Sequence, residues 1–295
     1  MLRAIARFLR RRRRREPEEP LYFARLARKS DAEWKATLSE DPQNAARWLY
    51  AAATAGQIEA QLAYGHSLLN GHGCAPDHEA AYRWFAIAAT KRNAEAVNML
   101  GRCHEHGWGV PADCAKAAAL YREAADKDDG WAMFNLACLL LDGRGVTQDR
   151  AAAFRLFERA VKAGHMKSLI MLGCCLEHGW GCAPDMIAAT TLYRRSAEAG
   201  DFRGQYRMAQ LFLESGLRQE ALPMLRRAID SAPPAFCRQF ADELLGTPDP
   251  ALRELGQYAL GRGDQISFSR GGSVRQARQA PQPAISDRAN EISAL

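Results

Sequence analysis

A repeat of 36 residues governs what this chain can fold into. Gly-x-Gly occurs four times, as Gly71 and Gly73, Gly107 and Gly109, Gly143 and Gly145, and Gly179 and Gly181. Each pair stands 36 residues after the one before. Asp recurs in the same register at Asp77, Asp113, Asp149 and Asp185. Two residue types held in phase over four copies leave chance a poor explanation. Self-similarity at a fixed period of this length marks a stacked, modular architecture.

Further columns fill in the unit. Ala45, Ala81, Ala117, Ala153 and Ala189 share one, and Leu49, Phe85, Tyr121, Phe157 and Tyr193 share another. Gly65, Gly101, Ala137, Gly173 and Ala209 form a small column. Apolar and small residues recur at three- and four-residue steps from Asp77 to about Ala89 and again from Glu95 to about His106. Polar turns such as Thr90 to Asn93 and Lys162 to His165 separate them, so each unit reads as a helix hairpin. The repeated Asp stands where its side chain caps the first helix. Each Gly-x-Gly stands where the second helix closes, with glycine free to turn left-handed. One hairpin cannot bury its own apolar face, so the expected fold class is all-α, a right-handed α-solenoid of stacked helix hairpins.

The sequence resembles the Sel-one-like repeat family, a branch of the tetratricopeptide-repeat superfamily. Ala81-Tyr82-Arg83-Trp84-Phe85-x-x-Ala88-Ala89, Ala96-x-x-x-Leu100-Gly101 and Gly107-Trp108-Gly109-Val110-x-x-Asp113 carry the resemblance. It recurs as Ala153-x-x-x-Phe157-x-x-Ala160, Leu172-Gly173 and Gly179-Trp180-Gly181-x-x-x-Asp185. The matching residues are structural, and the resemblance implies a repeat scaffold that binds other proteins. Some secreted members staple each hairpin with a Cys pair. The corresponding sites here, near Ala88/Ala96 and Ala124/Ala132, are Ala, so neither their periplasmic location nor their penicillin hydrolysis carries over.

The ends depart from the repeat. Residues 1–20 read as an Arg-rich flexible arm and 21–41 as an N-terminal capping helix. Residues 42–246 hold five to six repeats, opened by the Asp41-Pro42 cap. After Met208 the glycine loop is replaced by Glu214-Ser215-Gly216-Leu217, and Pro233-Pro234 marks the turn of a shorter last unit. A C-terminal capping helix is expected over 247–261. From Arg262 to 295, Gly, Ser, Gln, Arg and Pro dominate without periodicity, so a disordered tail is expected.

The formal charge of +6 is unevenly placed. Eight Arg and no acid give +8 to residues 1–15, and 262–295 add +2, which leaves −4 on 16–261. A duplex-binding domain carries its positive charge on the folded body, so nucleic acid is not the expected partner. At the N-terminus a short apolar segment precedes the run Arg10, Arg11, Arg12, Arg13, Arg14, Arg15, the reverse of a secretory signal. A cytoplasmic location follows, with the arm able to touch the anionic inner face of the membrane.

Chemistry is sparse. Cys103, His104, His106 and Cys114, with His72 and His78 one repeat earlier, match no zinc spacing, so no metal is expected. Nucleophile and phosphate-loop motifs are missing too, which leaves no enzyme, no cofactor and no small-molecule substrate expected. The first helix of each hairpin offers something else. Arg47, Arg83 and Arg155 share one column, and Tyr50, Arg122 and Arg194 share another, three positions on and so on the same helix face. In the superfamily that helix lines a concave groove. A basic strip there would take an acidic or C-terminal-carboxylate peptide through bidentate Arg contacts. The sequence therefore predicts a non-enzymatic scaffold that binds a protein or peptide partner. An adaptor docked through Arg10 to Arg15 on anionic membrane or nucleic acid ranks second, and a family-like β-lactam hydrolase last.

Overall fold

The structure, a computed structural model, describes residues 41–269, with side chains through 263. Among the described residues there are thirteen helices and no strand. They run α1 Pro42–Thr54, α2 Ile58–Asn70, α3 His78–Ala89, α4 Ala94–His106, α5 Cys114–Ala125, α6 Gly130–Asp142 and α7 Arg150–Lys162. There follow α8 Ser168–His178, α9 Met186–Glu198, α10 Phe202–Glu214, α11 Arg218–Ser231, α12 Pro234–Leu245 and α13 Pro250–Ser269. The chain is all-α and built of repeated helix hairpins, as the 36-residue period requires.

Two compact units divide the described chain: residues 41–135 with 144–146, and residues 136–143 with 147 onward. The first holds α1 to α5 and the start of α6. Its core includes Leu62, Leu68, Phe85, Met99 and Cys103. The second holds the rest of α6 and α7 to α13, with Ile170, Tyr193 and Met208 in one cluster and Tyr206, Leu225, Ile229 and Phe240 in another.

Asp works in two directions at each loop. In α1, α3, α5, α7 and α9 the preceding Asp accepts the backbone N–H three residues on, as Asp77 does from Ala80 at 2.8 Å. From Asp77 onward its own N–H also reaches back to the helix before, Asp77 to the Leu68 carbonyl at 2.9 Å and Asp185 to that of Leu176 at 2.8 Å. Each such loop is thus clasped to both helices it joins, and donors and acceptors that a helix end leaves unmet find partners.

The two glycines of each pair have different tasks, which corrects the expectation that both serve to close the second helix. Only the first does so. Gly71, Gly107 and Gly179 are the left-handed caps of α2, α4 and α8, with φ of 69°, 71° and 68°, and Gly143 after α6 has φ 73°. The second glycine, at Gly73, Gly109, Gly145 and Gly181, lies beyond the cap and permits contact. A Cβ on Gly73 would overlap the Pro42 carbonyl at the start of α1, and one on Gly109 the His78 carbonyl at the start of α3. On Gly145 it would run into the backbone and Cβ of Cys114 at the start of α5, and on Gly181 into the Arg150 carbonyl at the start of α7. The partner lies 31 residues upstream in all four copies, so this glycine sets the approach of a loop onto the preceding hairpin. The small column acts similarly: a Cβ at Gly101 would strike the Tyr121 ring, and one at Gly173 the Tyr193 ring.

Inside the hairpins the turn residue is left-handed in all five copies, as Gly56, Arg92, Asp128, Gly164 and Gly200. Arg92 and Asp128 are the only non-glycine residues with positive φ among the described residues, at 57° and 58°.

The last helix corrects the expected boundary of the tail. It begins at Pro250 and continues to Ser269, so residues 262–269, read as disordered from composition, are helical. Gly263 interrupts the apolar pattern yet is buried, and a Cβ there would meet Arg238 Cγ of α12 at 2.9 Å. Packing against α12 therefore favours the glycine that ended the sequence pattern. The arm at 1–20, the helix expected over 21–41 up to residue 40, and the tail beyond 269 lie outside the described residues.

Candidate protein-binding surface

Every residue of the basic strip is exposed. In the first unit Arg47 and Tyr50 stand on α1, Arg83 on α3 and Arg122 on α5; in the second, Arg155 stands on α7 and Arg194 on α9. Arg83 Nη1 pairs with Glu79 one turn earlier at 2.9 Å, so its charge is already met. Among the described residues, Arg47, Arg122, Arg155 and Arg194 have no ion pair or side-chain hydrogen bond. Their guanidinium groups are free to make the planar two-point contacts that carboxylates accept.

Tyr50 is 51% exposed and belongs to an aromatic group that the sequence reading did not assemble. Its ring centre lies 5.4 Å from that of Tyr64 on α2 and 6.1 Å from that of Trp84 on α3, and Tyr64 and Trp84 are 5.8 Å apart. The tilted and edge-to-face angles suit rings whose faces are negative and edges positive. Trp84 adjoins Arg83 in sequence, so this group joins the two Arg-bearing helices α1 and α3. Tyr64 and Trp84 are both half-buried. Burial, then nearby Cys74, lifts the Tyr64 hydroxyl above its ordinary pKa.

Two polar networks lie beneath the surface. In the first unit the Tyr121 hydroxyl donates to Glu105 at 2.6 Å, and Arg144 pairs with the same carboxylate at 2.9 Å. In the second, Tyr193 donates to Glu177 at 2.7 Å, and Glu177 pairs with buried Arg207. Burial opposes ionisation of Glu177, but the Arg207 guanidinium and the Tyr193 hydroxyl overcome it and hold the carboxyl below its usual range. The same two columns hold Leu69/Phe85 and Leu141/Phe157 in the intervening copies. Where the ring gains a hydroxyl, the residue 16 positions earlier is a carboxylate; where it does not, that residue is Leu.

The histidines and thiols considered for metal or catalysis serve packing. His104 packs edge-on against Tyr82 with centres 5.8 Å apart, while His106 and His178 lie on Trp108 and Trp180 at 4.6 and 4.9 Å. Burial pushes the Cys103 thiol up to about 12 and that of Cys174 to about 11, the reverse of an activated nucleophile. Among the described residues no group of three or more His, Cys, Asp or Glu could hold a metal ion, and no helix is long and apolar enough to cross a membrane. Arg10 to Arg15 lie outside the described residues.

Capped helix hairpins in 36-residue register and glycine-clasped loops define a helical-repeat protein. The Sel1 repeat family matches residues 36–57, 58–93, 94–129, 132–165 and 167–201, and the chain belongs to it. Proteins of this family generally serve as non-enzymatic scaffolds that bind protein partners. No sequence among the curated proteins matches the chain. A Sel1 repeat protein of Oxalobacter formigenes is similar in structure, with a TM-score of 0.61 and 21% identity over 77% of this chain and 99% of its own. The c5321 protective antigen of uropathogenic Escherichia coli, described as displaying the same repeat fold, gives 0.56 and 25% identity over 77% of this chain. This chain spans 50% of that antigen's length. The immunity protein Pa5087 of Pseudomonas aeruginosa shares the fold at 0.53 and 15% identity, over 72% of this chain and 82% of its own.

Proposed function

We propose that this protein is a non-enzymatic scaffold that binds an acidic peptide or protein segment through exposed faces of its first helices, α1, α3 and α5 in the first unit and α7 and α9 in the second. One observation carries the reading: Arg47, Arg122, Arg155 and Arg194 stand on four of the five first helices, exposed and without acidic partners among the described residues. Tyr50, with Tyr64 and Trp84 behind it, supplies the apolar contact that a purely electrostatic strip lacks.

Full-length protein titrated against an immobilised library of acidic peptides with free C-termini tests this. An exposed ion pair contributes about 0.2–1 kcal/mol, so one Arg→Ala change weakens binding by about fivefold at most. The combined Arg47→Ala, Arg122→Ala, Arg155→Ala and Arg194→Ala variant should lose binding by about fourfold or more, and Arg83→Ala alone should change little because Glu79 already holds it. Unchanged binding in the fourfold variant overturns the proposal. If binding instead falls only when Arg10 to Arg15 are replaced by Ala, the N-terminal arm is the working surface.

A further inference from the structure

The three rings that meet across α1, α2 and α3 occur together once in the repeat. One step of 36 residues turns Tyr50, Tyr64 and Trp84 into Ala86, Leu100 and Leu120. The next steps give Arg122, Leu136 and Leu156, then Glu158, Leu172 and Leu192. Stacking of the hairpins thus proceeds without rings at these positions, and their presence in the first unit calls for another reason. Ile87, one turn beyond Trp84 on the same face of α3, is 46% exposed. With half-exposed Tyr50 and half-buried Trp84 it leaves an apolar surface open to solvent on α1 and α3.

The charges beside that surface choose among the ligands that rings accept. Arg47 stands three positions before Tyr50, so its guanidinium and the Tyr50 ring share a helix face. Arg83, next to Trp84, is already met by Glu79 at 2.9 Å. Asp77 turns its carboxylate to the Ala80 N–H at 2.8 Å, as the cap of α3. Arg47 is the charge left to face a ligand. It repels the lysine or quaternary ammonium that exposed rings would otherwise attract, and it draws in a carboxylate. Edge-to-face rings also favour a further ring over an aliphatic chain of similar size.

We propose that the ligand carries an aromatic residue next to an acidic one, the ring seated against Tyr50 and Trp84 and the carboxylate on Arg47. The proposal rests on the acidic-ligand reading and adds the side chain that selects among acidic ligands. Arginine recurs on other first helices, whereas this set of rings occurs once, so the rings supply a selectivity that the arginines lack.

Calorimetric titration of the full-length protein with four acetylated and amidated peptides tests this. Glu-Asp-Phe-Glu-Asp should bind about threefold or more tighter than Glu-Asp-Ala-Glu-Asp, and tighter than Glu-Asp-Leu-Glu-Asp. Tyr50→Ala should remove the advantage of the Phe peptide and leave the affinity of the Ala peptide as it was, while Tyr50→Phe should retain the advantage. In NMR spectra the Trp84 indole N–H, assigned through Trp84→Phe, should shift with the Phe peptide and not with the Ala peptide. No advantage for Phe, an advantage that Leu shares equally, or one that survives Tyr50→Ala overturns the proposal while the acidic-ligand reading stands. So does self-association that grows with protein concentration and disappears in Tyr50→Ala, which would make a second copy the occupant. Gln-Asn-Phe-Gln-Asn binding as tightly as its acidic counterpart is a separate failure: the acidic-ligand reading falls and takes this proposal with it.

Discussion

Between α2 and α9 each inter-hairpin loop is set by backbone devices, whereas the closing segment from α10 to α13 relies on large side chains. At Asp77, Asp113, Asp149 and Asp185 a capping carboxylate follows two left-handed glycines. Between α10 and α11 the loop holds one left-handed residue, Gly216, and Leu217 offers no side-chain cap. The closing segment compensates with rings: Tyr206 stacks on Phe240 at 4.0 Å, Phe202 meets Phe236 at 4.9 Å, and Arg203 lies over Phe202 and Phe236 at 4.5 and 4.6 Å. Arg218 and Asp249 join α11 to the start of α13 through two contacts at 2.5 and 2.8 Å. Repetition favours devices that work in any copy, and a chain end can use contacts made once.

The comparison can be broken most sharply at its aromatic side. Phe240→Ala should cost about 3–5 kcal/mol in urea unfolding, since it empties the centre of the closing core. Gly181→Ala comes next, at about 3 kcal/mol, because its Cβ overlaps the Arg150 carbonyl and its φ is 79°. Gly216→Ala separates the two causes: its φ is 74° but open space surrounds it, so only the conformational part, about 1 kcal/mol, should appear.

Acid tests the regular hairpins from another side. His165, in the turn between α7 and α8, is buried with Nδ1 2.8 Å from Ser168 Oγ, and burial, then the Lys167 cation, push it down to about 4. The unfolded chain, with an ordinary pKa near 6.5, takes up the proton first. Stability from neutral His165 is therefore full above about pH 6.5 and falls as pH drops toward 4, by up to about 3 kcal/mol. A His165→Asn variant should show a flatter profile over that window in melts between pH 7 and 4. Glu177, held below its usual range by Arg207 and Tyr193 against the cost of burial, adds its own loss only at still lower pH.

Smaller effects sharpen the picture. Arg92 adopts a φ of 57° where three other copies use Gly, so Arg92→Gly should stabilise the protein by roughly 0.5–1 kcal/mol. Arg218→Ala should give the slightest change, a fall in Tm at low salt that vanishes as salt screens the exposed pair with Asp249.

Where the fold was legible, the signal was local. Asp77 and Gly107 announce a helix start and a helix stop through their own bonding and φ, so the expected start of α3 after Asp77 and the expected end of α4 near His106 match the structure. What escaped the sequence reading depends on a neighbour far along the chain. Gly73, Gly109, Gly145 and Gly181 look like second caps until Pro42, His78, Cys114 and Arg150 are seen against them. The grouping of Tyr50 with Tyr64 and Trp84 likewise brings together three helices that no single column links. The arginine strip was readable as exposed, because charge on a first-helix column has nowhere else to go. The pairing of Arg83 with Glu79 was also legible, at four-residue spacing on one helix face.

The pairing of Tyr with Glu and Phe with Leu bears on how such a gene changes length. Recombination that adds or removes 72 residues keeps every ring beside its own partner wherever the crossover falls. A step of 36 does so only if the join avoids the 16 positions between partners. A join inside that interval would set a tyrosine hydroxyl against leucine or a glutamate against phenylalanine. Across these four copies the pairing has a period of 72 residues, a pair of hairpins, twice the unit that its glycines advertise.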